Sequence, residues 1–324
     1  MHAPWMQFCR LAAAGVALVA CADSGAVAGP ATARTTAVGR SVAPSALTIF
    51  DVPGASRTLA LDINEAGVIV GRYLSAGQNH GFLRDAEGHV TTVDYPGSNF
   101  SVASSINDNG AILGWYTVPA DPTVRHGFVL RDGVFTSFDP PGSTFTNPLG
   151  INNRGDITGR FCTLAVCRAP GAGSFHGFLF QHGVFTIIDV PGGNETNAFK
   201  PNENGAIVGG FGAGGAEQLF VLDNGQFTTM ELPNGKPVTQ DDGGMNARGD
   251  LVGTYCEGAP PCLIGPSNNH GFVLSRGRLS TIDVPGATAT SLTAINARGD
   301  MVGGYTDASG HAHGLLLERH GERP

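Results

Sequence analysis

The chain has 324 residues, with 48 Gly, 20 Pro and 18 Phe, and a formal net charge of −8. Only Lys200 and Lys236 are lysines, and the negative net charge argues against neutralising a phosphate backbone, so no nucleic-acid partner is expected. Beyond the first 22 residues no stretch sustains a 3.6-residue apolar period, and the abundance of Gly, Pro, Val, Thr, Ile and Phe points to an all-β chain.

In chain order the first element is an address. Arg10 precedes the apolar run LAAAGVALVA at 11–20, too short to span a bilayer as a helix but of signal-peptide length. The next phrase, LVAC at 18–21, resembles the bacterial lipobox. That resemblance implies residues 1–20 as signal peptide, lipidation at Cys21, and an outer-membrane destination from Ala22 at the following position. The other reading of the same residues is cleavage after Ala22 in ACA, giving a secreted protein. Residues 21–46, rich in Ala, Gly, Ser and Thr, read as a flexible tether.

From residue 47 to 319 three phrases recur. D-x-P-G stands at 51, 94, 139, 189 and 283, with ELPNG at 231 as a degenerate copy. The Asn of IN-x-x-G falls at 64, 107, 152, 202, 246 and 296. HGF or HGL begins at 80, 126, 176, 270 and 313, with QLF at 218. Each copy holds four short β-type runs bounded by Gly, Pro or Asp, the pattern of propeller blades. N-x-x-G and Asp-Gly are hairpin turns, whereas the Pro of D-x-P-G removes a ladder donor and marks the crossing between blades. The expectation is a six-bladed β-propeller of four-stranded antiparallel blades, each running outward from its IN strand. The last copy lacks an outer strand and the first has a spare one, so strand 47–51 should join the last blade and close the ring. Residues 320–324 form a tail.

The repeats also account for two tempting motifs. Arg-Gly-Asp occurs at 154–156, 248–250 and 298–300, each time with its Gly at the turn position that needs a positive φ, so it reads as turn chemistry and not as an adhesion ligand. Counting outward from the Asp-Gly turn sets His126 opposite Asp139, His176 opposite Asp189 and His270 opposite Asp283. His80 likewise faces Asp94 over a longer loop, Gln218 faces Glu231, and His313 faces Asp51 through closure. Such pairs read as cross-strand staples. Cys162–Cys167 and Cys256–Cys262 are close pairs within single loops, which in an exported chain read as disulfides. No metal or cofactor is expected. No G-x-S-x-G elbow, HExxH helix or phosphate loop occurs, and SNNHG and DASGHAHG bring nucleophile and base types together only weakly.

With DVPG, IN-x-x-G and HGF in place, the chain resembles the HAF-type bacterial extracellular repeat family over residues 47–319, with His-Gly-Phe where that family has His-Ala-Phe. The resemblance implies export and a propeller-like fold. Function is expected where copies depart from one another. Long Cys-bearing loops flank a short one, FGAGGAEQ at 211–218, and unusual polar residues gather nearby: Glu195, Lys200, Glu217, Gln218, Asp241 and Asp242. The expectation is a monomeric, non-catalytic binding or scaffold module for a glycan or protein partner. The alternatives are a purely structural surface protein, or a glycosidase- or lyase-like enzyme using a carboxylate pair such as Asp241 and Asp242.

Overall fold

The computed structural model describes residues 31–34, 37–38, 46–164, 167, 175–213, 216–236, 238–257 and 269–319, and these contain strands and turns but no helix. After β1 (Ala31–Arg34), β2 (Ala37–Val38) and β3 (Ala46–Phe50), the strands follow as antiparallel meanders. The first comprises β4 (Arg57–Ile63), β5 (Ile69–Ser75), β6 (Gln78–Arg84) and β7 (Val90–Thr92). The second comprises β8 (Phe100–Ile106), β9 (Ile112–Val118), β10 (Asp121–Arg131) and β11 (Val134–Phe138). Then come β12 (Phe145–Ile151), β13 (Ile157–Cys162), β14 (His176–Gln181) and β15 (Val184–Ile188). They are followed by β16 (Glu195–Pro201), β17 (Ile207–Ala213), β18 (Ala216–Asp223) and β19 (Gln226–Glu231). Next stand β20 (Val238–Met245), β21 (Leu251–Cys256), β22 (Asn269–Ser275) and β23 (Arg278–Ile282). The chain ends with β24 (Ala289–Ile295), β25 (Met301–Thr306) and β26 (Ala312–Glu318), and β26 takes β3 as its outer neighbour, Gly314 opposite Phe50 and Leu317 opposite Leu47.

The HGF triplet divides its work by residue. Phe82, Phe128, Phe178, Phe220 and Phe272 are fully buried, with Leu315 in their place in the last unit. Each lies over a glycine of the second strand: a Cβ on Gly114 would sit 2.1 Å from the Val102 carbonyl oxygen and 2.4 Å from the Phe128 ring. Burying one such side chain is worth about 1.5–3 kcal/mol, so repetition of the triplet builds the core. The D-x-P-G crossings are tied down by the buried hydroxyl that follows them. Val52, Val190 and Val284 donate their N–H groups to Thr58, Thr196 and Thr290 at 3.0–3.1 Å.

The asparagine of IN-x-x-G acts in two directions. Its Oδ1 accepts N–H groups of its own turn, as Asn152 does from Arg154 and Asp156. Its Nδ2 reaches the next unit: Asn64 to the Asn107 carbonyl at 3.3 Å, Asn107 to Asn152 at 3.0 Å, Asn246 to Asn296 at 3.2 Å, and Asn296 to Asn64 at 3.2 Å. In the three Arg-Gly-Asp turns the guanidinium lies on its own aspartate, Arg154 on Asp156 and Arg298 on Asp300 at 2.8 Å, Arg248 on Asp250 at 3.2 Å. Burial pushes the Asp156 and Asp250 carboxyls up, but bonds from Asn152, Gln181 and Arg154, and from Ser275, Asn246 and Arg248, outweigh it and hold both below the usual range.

The stretch read as a tether departs from a free linker at two places. β1 pairs in parallel with β19 and β2 with β23. The outermost strand of a meander presents an unpaired row of backbone donors and acceptors, and these residues cover part of it.

Two predictions follow from these contacts. Gly114→Ala must displace a carbonyl and a ring and is expected to cost more than about 3 kcal/mol. Gly249→Ala at φ +80, with nothing within 4 Å, should cost about 1 kcal/mol from backbone strain alone; equal losses in urea melts would refute the packing account. A depressed carboxyl stabilises fully above its unfolded value near 3.9 and loses that contribution as pH falls through the folded value. The fall in melting temperature between about pH 5 and pH 2.5 should therefore be shallower in the double variant Asp156→Asn/Asp250→Asn than in wild type.

Candidate functional site

The crossings and the second-to-third strand connections lie at one end of the strands, the N-x-x-G turns at the other. The polar residues read from the sequence distribute between these ends. Glu195 opens β16 at the crossing end, opposite Gly212, which in turn faces Glu217 on β18. The two glutamates thus project from the same face of the sheet, two strands and about 10 Å apart at Cα, separated by a residue without a side chain. Asn194 crosses that gap, its Oδ1 2.3 Å from where a Gly212 Cβ would be. Gln218 pairs with Phe211 and is half-buried; by register it stands opposite Glu231, which is exposed.

Two residues along β16 from Glu195, Asn197 holds a buried cation. Arg160 on β13 is 6% exposed, donates from Nη1 to Asn197 Oδ1 at 3.2 Å, and sits 4.9 Å from the Phe175 ring centroid. The same strand position holds Arg72 in GRY of the first copy, glycine in GGF and threonine in GTY. Asp241 and Asp242 lie on β20, and their side chains fall outside those described. Their setting is distinctive: five steps from Val238 to Gly243 are matched by only two from Tyr255 to Gly253, a wide bulge. The sequence carries its cause, since thirteen residues separate Pro233 from Asn246 where eleven separate Pro191 from Asn202. Beside the bulge, Thr239 and Thr254 are buried, and their hydroxyls have no partner among the described residues.

Lys200 does not belong to this rim. It is the sixth residue of β16, about 17 Å along the strand from Glu195. Its Nζ donates to Asp62 Oδ2 at 2.8 Å and to the Ile106 carbonyl at 3.0 Å. Asp62, 2% exposed, also accepts Ser105 Oγ at 2.5 Å and the Ile106 N–H at 2.9 Å. Gly150 makes room, because a Cβ there would meet Lys200 Cα at 2.2 Å. The residues two before the repeating asparagine therefore converge from separate units, and Lys200 is spent as a staple between them. Phe199 is 2% exposed within an apolar cluster and offers no open aromatic platform.

The rim histidines each meet a carboxylate through Nδ1: His80–Asp94 and His126–Asp139 at 2.7 Å, His176–Asp189, His270–Asp283 and His313–Asp51 at 2.9 Å. Each imidazole also lies against an aromatic ring: Tyr73, Tyr116, Phe161, Tyr255 and Tyr305 in turn. Cys162 and Cys167 are disulfide-bonded with Cα atoms 5.9 Å apart. Cys256 ends β21, and Cys262, like Cys21, lies outside the described residues. A separate groove of about 480 Å³ opens between β15 and β19, but its charged walls are already engaged, Arg154 and Gln181 with Asp156 and Asp189 with His176.

No protein-family model matches the chain, and no curated protein matches it. Solved structures do resemble it. One is a protein of unknown function from Dyadobacter fermentans, 11% identical, covering 86% of this chain and 99% of that one, with a TM-score of 0.53. Another is the β-propeller domain of the Trilobed protease from Pyrococcus furiosus, 10% identical over 84% of this chain and 80% of that one, TM-score 0.52. A third is an arginine-substituted mutant of AofleA from Arthrobotrys oligospora, 13% identical over 89% and 92%, TM-score 0.52. At such identities the likeness is one of fold, and the fold is that of a β-propeller.

Removing one partner of the Lys200–Asp62 pair leaves a buried charge short of a contact. Lys200→Met should cost about 2–3 kcal/mol, below the full cost of a broken buried pair because Ser105 and Ile106 still serve Asp62. Lys200→Met/Asp62→Asn should recover much of that loss in a denaturant double-mutant cycle. Strict additivity would sink the staple.

Proposed function

We propose that this chain is an exported binding module of the HAF-type repeat class, a closed six-bladed propeller that holds a glycan or protein partner at the rim over β16–β18. Several observations support the ring: β3 completes the last meander, Asn296 donates to Asn64, and Thr293 Oγ1 donates to the Ala60 carbonyl at 3.1 Å. Export through the leader at 1–20, with lipidation at Cys21, is the reading most consistent with the short apolar run and with a disulfide in the loop after β13.

The observation that carries the binding role is the rung Glu195–Gly212–Glu217 together with Arg160 and Asn197. Residues that repeat build the scaffold, whereas Glu195 and Glu217 have no counterpart in the other copies and stand at one rim. A cation held 6% exposed and bonded to Asn197, two residues along β16 from Glu195, is a fixed electrostatic feature, of the kind that orients a polar ligand. The same-face spacing of the two glutamates favours one alternative, a glycosidase-like centre, since inverting enzymes hold their carboxyls about 6.5–9.5 Å apart.

The test is thermal melting against a panel of neutral, acidic and amino sugars and of peptides. A ligand near a hundred times its Kd adds about 2.7 kcal/mol, and the shift should vanish in Glu195→Gln while that variant's own melting temperature holds. A shift indifferent to Glu195→Gln would move the site elsewhere. Release of reducing ends by wild type and not by Glu195→Gln would replace binding with hydrolysis.

A further inference from the structure

The last unit carries a group of side chains that the rim staples do not explain. Its β25–β26 connection, DASGH at 307–311, folds back on its own aspartate: Asp307 Oδ1 accepts the Ser309 and His311 N–H groups at 2.8 and 2.9 Å and Ser309 Oγ at 2.7 Å. This leaves Oδ2 turned toward two imidazoles. His313 Nε2 lies 3.4 Å from it and His311 Nδ1 3.9 Å. In a tetrahedral zinc shell with bonds of 2.0–2.2 Å, neighbouring donor atoms stand about 3.3 Å apart. The Asp307–His313 separation already matches, and His311, on an imidazole 64% exposed, can close the remainder by a change of rotamer.

We propose that Asp307 Oδ2, His311 Nδ1 and His313 Nε2 bind one divalent transition-metal ion of the zinc class, with Asp51 orienting the His313 ring. His313 is the second residue of β26 and His311 the last of the connection before it, and both imidazoles approach the same Asp307 oxygen. The His313 Nδ1–H donates to Asp51 at 2.9 Å, which fixes the tautomer that presents an Nε2 lone pair and raises its basicity, as the carboxylate–histidine pairs of metal sites do. Without the ion, Ser309 Oγ donates to Asp307 Oδ1 and accepts the His311 Nδ1–H at 2.8 Å, so binding turns the His311 ring off the serine and releases that proton. Three protein donors leave a fourth position for water or a ligand atom.

The other rim histidines have the orienting carboxylate and lack the rest. None of the connections at 76–79, 119–125, 163–175, 214–217 or 257–269 contains a histidine, and among the described residues His313 alone of the rim histidines shares a carboxylate with a second imidazole. Among the described residues no three such side chains stand in a finished shell; the incomplete member is the exposed one. Because Asp51 follows β3 and His313 lies on β26, an ion here would tie the first strand of the propeller to the last, and binding would be linked to the seam.

Isothermal titration of the full chain with zinc chloride in a non-chelating buffer, after EDTA treatment, tests this. Wild type should bind at micromolar concentration, and His311→Ala and Asp307→Asn should each lose one bound equivalent per chain. Asp51→Asn should keep that equivalent with Kd raised about 10–100-fold. Melting of His311→Ala in EDTA should match wild type, because that ring is exposed; only the zinc-dependent rise in Tm should disappear. Retention of every equivalent in His311→Ala, or no binding below millimolar zinc, overturns the site.

Discussion

The asparagine of IN-x-x-G is the contact on which the arrangement turns. A primary amide carries an acceptor and two donors on one short stem, so a single side chain can close its own hairpin and bond the backbone of the next unit. Aspartate would close the turn and lack the second donation; serine would not reach. Asn64, Asn107, Asn152, Asn246 and Asn296 are all buried, where an amide with either half unmet costs about 1–3 kcal/mol. In the units of these five asparagines the turn is thereby made to depend on its neighbour's position.

A parallel chain of contacts runs beside it and shows what happens when a repeat decays. Glu65 N–H donates to Asp108, Asp108 N–H to Asn153, Asn153 N–H to Glu203, and Ala297 N–H to Glu65. Ala247 and Ala297 hold the equivalent places in the two final copies and have nothing with which to accept. The arginines reach the next unit's glycine whether or not that contact is kept: a Cβ on Gly205 would lie 3.1 Å from Arg154 Nη2, one on Gly299 3.2 Å from Arg248 Nη2, and one on Gly67 3.5 Å from Arg298 Nη2. Arg-Gly-Asp is thus a turn in which the arginine is held by its own aspartate while lying over the next unit's glycine, a poor posture for an exposed adhesion ligand.

Much of this was legible because β-structure writes its partners into register. Counting across the Asp-Gly turn sets His126 against Asp139, and the two side chains meet; the same count carried over the chain ends sets His313 against Asp51. What could not be read were contacts that depend on how units face one another. Lys200 stands out as one of two lysines, yet its partner Asp62 is 138 positions away, and no local pattern joins them. The bulge in β20 left a trace, two extra residues before Asn246, but its consequence, two buried threonine hydroxyls, follows only from three-dimensional register. Arg160 shows a further limit: a cation in a strand reads equally as exposed or buried until the ring above it, Phe175, is placed.

The seam between chain ends has its own demand. Every other unit is closed by strands adjacent in sequence, whereas β3 must find β26 across some 260 residues, and the entropy of bringing ends together grows with the logarithm of that distance. The contacts there are correspondingly dense. Leu47 and Ile49 remain partly exposed on β3, so the apolar contribution of that strand rests mainly on Phe50, packed edge-on against Phe82. The balance falls to polar contacts: five backbone-paired positions, the His313 ring against Tyr305, and two carboxylates, Asp51 and Asp307, on one imidazole. Burial pulls the His313 proton affinity down, but those two carboxylates outweigh it and raise it, and they act where the covalent chain supplies no help.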